Sequence, residues 1–170
     1  MRLTLAVLAV AAAAAAAVPA GDGAGTAFCT GSQLRGSFAV VPGSAGAGNI
    51  VYALRVTNRS ARRCALTGLP AVRLLGRAGK PLPTHVVAAF PGALTAVLVT
   101  LAPGRSAGAT ARFSPDVPGV GEGNRSRCEP VAYRLRVLAR GGGSTVAAVR
   151  PPTPVCEHGR LQFRAYGPAR

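Results

Sequence analysis

The four cysteines, Cys29, Cys64, Cys128 and Cys156, are the side chains with the most definite chemistry in this chain. No two share C-x-x-C spacing, so neither a zinc ribbon nor a redox motif has a pattern to rest on. An even set in a chain that opens on an export signal reads instead as two disulfides. Four cysteines permit three connectivities. Facing residues of an antiparallel hairpin are centred on its turn. Cys29 and Cys64 are centred in the glycine-rich run 43–48, and Cys128 and Cys156 on Gly141-Gly142-Gly143. That geometry favours Cys29 with Cys64 and Cys128 with Cys156, each bond contributing about 3–4 kcal/mol in chain-entropy terms.

Other constellations are weaker. Gly104-Arg105-Ser106-Ala107-Gly108 fits the G-x-S-x-G nucleophile elbow, with His158 and Asp116 or Glu122 downstream in the order such hydrolases use. An elbow needs a strand before the serine and a helix after it. Here Ala102-Pro103-Gly104 reads as a turn and Ala107–Phe113 as a strand, so a serine hydrolase using Ser106 is the alternative reading and a hairpin turn the primary one. The only histidines are His85 and His158, too few for a site of three or four ligands once the cysteines are oxidised, so no metal and no cofactor is expected. Asp116, Glu122, Glu129 and Glu157 could supply a carboxylate pair for glycoside hydrolysis, but with no Trp and three Tyr the chain lacks a sugar-stacking cleft. The glycine runs 43–48 and 119–123 lack the Lys-Ser/Thr of a phosphate loop. No catalytic residue is assigned.

Charge supplies the one positive lead. Lys and Arg number 20 against 5 acidic residues, a formal charge of +15, and Lys80 is the only lysine. Arg59, Arg62 and Arg63 precede Cys64, and Arg125 and Arg127 precede Cys128. If consecutive strands run up and down, both loops fall at one end and form a five-arginine patch suited to phosphate or carboxylate groups. Nucleic acid is expected only as a nonspecific polyanion, because aromatic residues for base stacking are scarce. The sequons at Asn58 and Asn124 are expected to carry no glycan.

These residues need a scaffold, and its extent is readable. Met1-Arg2, the apolar run Leu3–Val18 and Val18-Pro19-Ala20 have the three parts of a secretory signal over residues 1–20. The apolar run is mostly Ala and shorter than the roughly 20 residues that span a bilayer, and no lipobox precedes Cys29. Residues 21–27 read as a flexible leader and 28–170 as one domain. Past the leader no helical periodicity persists. Short β-prone runs recur between Gly, Pro and Asn clusters, the pattern of a sandwich or barrel. Tyr52, Leu54 and Val56 alternate with Ala53, Arg55 and Thr57; Tyr133, Leu135 and Val137 with Arg134 and Arg136; Leu161, Phe163 and Ala165 with Gln162 and Arg164. Further strands are expected over 33–41, 71–75, 84–89, 95–101, 107–113 and 144–149, about nine in all.

Cys29, Gly48-Asn49, Asn58, Ser60 and the run Cys64-Ala65-Leu66-Thr67-Gly68-Leu69-Pro70-Ala71-Val72 form a connected pattern. It continues through Val99, Leu101, Pro103, Gly104, Ala107, Cys128, Leu135, Val137, Cys156 and Leu161. In these residues the chain resembles the actinobacterial secreted domain of unknown function 4232 family. The resemblance implies an immunoglobulin-like antiparallel β-sandwich in the envelope or medium, and it implies no activity. Many relatives are lipoproteins, whereas this chain lacks a lipobox, and Ala139-Arg140-Gly141 stands where Pro-Pro is common. The reading is an exported, secreted or envelope-associated, non-enzymatic domain of unknown function, with binding of anionic cell-envelope polymers or acidic proteins as its one lead and a merely solvated basic surface as the competing account.

Overall fold

Alternation along Ile50–Asn58 builds the centre of the fold. Tyr52, Leu54 and Val56 are buried to within 1% of full exclusion, and Ala53 and Arg55 face outward. The computed structural model describes residues 25–93, 97–123 and 128–169. The expected signal (1–20), residues 21–24 of the leader, Arg125, Arg127 and the Asn124 sequon lie outside the described residues.

The strands are β1 (Leu34–Val40), β2 (Ile50–Asn58), β3 (Cys64–Leu66), β4 (Ala71–Leu75), β5 (His85–Ala88), β6 (Val99–Leu101), β7 (Ser106–Phe113), β8 (Ala132–Leu138), β9 (Ser144–Thr153), β10 (Arg160–Phe163) and β11 (Gly167–Pro168). Nine form one sheet in the order β4-β8-β9-β1-β2-β7-β10-β5, with β11 also on β7, and β3 and β6 form a separate ribbon. The two ends of the path are brought together by chain that doubles back. Leu82 N–H donates to the Leu74 carbonyl at 2.9 Å, and Thr84 Oγ1 accepts from Leu74 N–H at 2.9 Å, immediately before β5 begins. The sheet is thus curled nearly shut.

This corrects the expected antiparallel immunoglobulin-like sandwich. The fold is mostly β, but the main sheet is a mixed, nearly closed barrel. β1 runs parallel to β9, with Phe38 opposite Val149, and β10 runs parallel to β5, with Leu161 opposite Val86. The physical reason is the length of β9. Residues 144–148 and Thr153 pair with β8, and Val149 and Arg150 pair with β1, so one strand joins what would otherwise be two sheets.

Phe38, Tyr52, Phe113 and Phe163 meet in the interior, with ring centroids 5.0 Å apart for Phe38 and Tyr52 and 5.2 Å for Tyr52 and Phe113. Such tilted contacts suit the ring quadrupoles. The Tyr52 hydroxyl is satisfied by the Pro151 carbonyl at 2.8 Å and Thr153 Oγ1 at 2.6 Å. One alternation fails. A register shift between Ala132 and Arg134 buries Ala132 and leaves Tyr133 half-exposed; its hydroxyl accepts from Arg77, whose guanidinium lies 4.5 Å from the ring centre. The disulfides join Cys29 to Cys64 and Cys128 to Cys156, the pairing that turn-centring favours.

Candidate functional site

Asn58 ends β2 and organises the loop that carries the first arginines. Fully buried, it donates from Nδ2 to the Arg62 carbonyl at 2.7 Å and the Leu101 carbonyl at 3.0 Å, and its Oδ1 accepts from the Ser60 N–H and hydroxyl. The amide of this sequon is therefore internal. Arg59, Arg62 and Arg63 are exposed around it, with Arg59 Nε donating to Ser32 O at 3.1 Å. Arg125 and Arg127 lie outside the described residues; Glu122 and Cys128 belong to the other end of the barrel, where Cys128 is bonded to Cys156, whose N–H donates to the Ser114 carbonyl just past β7. The length of β2, roughly 26 Å at ~3.3 Å per residue, separates the two ends. β6 pairs with β3 outside the main sheet.

Ser106 and His158 are separated by the same geometry. Ser106 starts β7 and shares a 2.8 Å hydrogen bond with Thr57, whereas His158 lies beyond the far end of that strand, beside Glu122. The structure does not bring together the groups a serine triad requires.

On the outer face of β2, β7 and β10 the register places small residues in a row and cations around them. Ala53 sits opposite Thr110, Arg55 opposite Gly108, and Val51 opposite Arg112, which in turn faces Gln162. The small floor leaves a cleft of about 900 Å³. Arg55, Arg112 and Arg164 line it, and no acidic side chain of the described residues does. Arg164 lies 4.9 Å over the ring of Phe90, itself 55% exposed, a cation–π contact that holds the guanidinium over the cleft. Sequence reasoning passed over these arginines because they alternate singly with core residues and form no run.

The described acidic residues gather elsewhere. Asp116, Glu122, Glu129 and Glu157 all lie in the loop after β7 or the turn before β10. Glu157, His158 and Gly159 occupy the left-handed region in succession, at φ of 54°, 55° and 77°, an arrangement that costs about 1–2 kcal/mol per non-glycine residue. It turns successive N–H groups toward one point, an anion-binding concavity. The Glu122 carboxylate fills it: Oε2 accepts from Glu157 N–H at 2.8 Å and Gly119 N–H at 2.6 Å, and Oε1 from His158 N–H. Burial pushes the Glu122 pKa up, but those three donors and the His158 ring outweigh it and hold the carboxyl below its ordinary value. Burial, and then the charge on Glu122, raise Glu129. His158 Nδ1 faces both, 3.6 Å from Glu122 Oε1 and 3.9 Å from Glu129 Oε1. No spacing pattern could have exposed this trio, since its members come from segments as much as 36 residues apart.

Residues 29–167 match a family model described as Domain of unknown function (DUF4232). No curated protein and no solved structure matches the chain.

Proposed function

The chain belongs to the DUF4232 family, a domain of unknown function, and from that premise we propose that it is an exported, non-enzymatic module that binds an anionic cell-envelope polymer or acidic protein. The observation that carries this reading is the cleft on the β2–β7–β10 face, whose walls carry Arg112 and Arg164 and, among the described residues, no acidic side chain. Guanidinium groups present planar pairs of donors that match carboxylate and phosphate oxygens. Gln162 and Thr110 add neutral hydrogen-bonding groups on the same walls. Two disulfides and a signal-like N-terminus support export. The separation of Ser106 from His158 supports a non-enzymatic role.

The test is retention of the oxidised, tag-free chain on immobilised polyphosphate and on polyglutamate, at low salt and at about 0.15 M, where screening acts over ~8 Å. An Arg112→Ser/Arg164→Ser variant is compared with an Arg59→Ser/Arg62→Ser/Arg63→Ser variant. Retention on one polymer that survives the higher salt and disappears only in the cleft variant is the expected result. Retention abolished by salt alone, or unchanged in the cleft variant, would overturn the reading.

A further inference from the structure

We propose that Glu122, Glu129 and His158 form a binding site for a divalent transition-metal ion of the zinc type. Their donor atoms lie within 4.8 Å of one another. The imidazole is oriented as in metal sites: Nε2 lies 3.1 Å from the Val120 carbonyl, an acceptor, so Nε2 carries a proton and Nδ1 is turned toward the two carboxylates. A backbone carbonyl on the remote ring nitrogen is the usual outer partner of a metal-bound histidine. The Nδ1 lone pair thus faces two carboxylates, an arrangement that a cation lying between them satisfies.

The distances decide which cation. A proton shared in a hydrogen bond needs the heavy atoms at about 2.7–3.2 Å, shorter than the 3.6 and 3.9 Å observed. Two ligands at about 2.0–2.2 Å from one ion stand up to roughly 4.3 Å apart, which accommodates both separations. Glu129 points the same way independently. Its side chain is only 13% exposed, and its polar partners are Glu122 and His158 alone among the described residues, none of which gives this mostly buried carboxylate an N–H. One nitrogen and two carboxylate oxygens suit zinc-like ions better than calcium or magnesium, which take oxygen ligands throughout. His158 is 62% exposed, so an ion can enter from solvent. Bound there, it ties the loop after β7 to the turn before β10, beside the Cys128–Cys156 bond.

Calorimetric titration of the oxidised, tag-free chain with Zn²⁺ tests this. The expected result is one ion per chain, a melting temperature that rises with zinc, and affinity weakened at least about tenfold by Glu129→Gln and by His158→Ala. His85→Ala, which removes the other histidine, leaves binding unchanged. Glu129→Gln preserves side-chain shape, so an unaltered melting temperature without metal shows that the loss is one of ligation and not of folding. Absence of binding up to millimolar zinc, or binding by Glu129→Gln and His158→Ala as tight as that of the parent chain, overturns the proposal.

Discussion

Arg73 on β4 and Arg136 on β8 are direct cross-strand partners. Like charges in that position destabilise a sheet by about 0.2–1 kcal/mol. Arg136→Glu converts the repulsion into attraction, so urea unfolding at low salt should show a gain of up to about 1 kcal/mol that shrinks as salt rises. A low-salt stability equal to that of the parent chain would mean the two side chains already diverge into solvent.

Asn58 is expected to be among the most sensitive polar positions. Asn58→Ala abandons the Arg62 and Leu101 carbonyls and should cost about 3 kcal/mol. Asn58→Asp is nearly isosteric but sets an acceptor against those carbonyls, so it should be no milder. An Asp variant with a parental denaturation midpoint would refute this account of the loop.

Two left-handed glycines separate backbone strain from collision. A Cβ at Gly142, φ 100°, meets nothing within 4 Å, whereas at Gly159, φ 77°, it would strike the Pro83 carbonyl. Gly142→Ala should lose about 1 kcal/mol from φ alone, and Gly159→Ala well over 2 kcal/mol. Equal losses in thermal unfolding would show that the Pro83 segment yields freely.

Alkaline titration should be cooperative. Burial raises the pKa of Tyr52, with the Thr153 hydrogen bond partly opposing it, and burial alone raises that of Tyr166. A phenol favoured as neutral in the folded state contributes stability that is intact below the unfolded value of about 10 and declines as pH climbs toward the folded one. Tyrosinate absorbance from these two residues should therefore emerge together with the loss of circular dichroism. Their ionisation in a chain that stays folded would contradict the burial seen here.

Much of the local architecture is legible because it depends on near neighbours. Tyr52, Leu54 and Val56 alternate inward as a half-buried strand demands, and the positions of the cysteines about two glycine turns anticipate both disulfides. β3 and β11 escaped notice because three residues and two residues carry no period. Tyr133 was misplaced by a bulge that leaves no mark in the alternation.

By itself, the sequence determined a cationic, two-disulfide, β-rich chain with its strands and turns in order, since composition, period-two alternation and turn chemistry are properties of adjacent residues. Only the tertiary structure decided that β9 crosses from β8 to β1 and makes a mixed, nearly closed barrel, that Arg112 and Arg164 share one cleft, and that Glu122, Glu129 and His158 converge. Those outcomes follow from which distant strands pair and how many traverse the barrel, and such pairing is governed by the burial of the assembled core, to which no single segment holds the key.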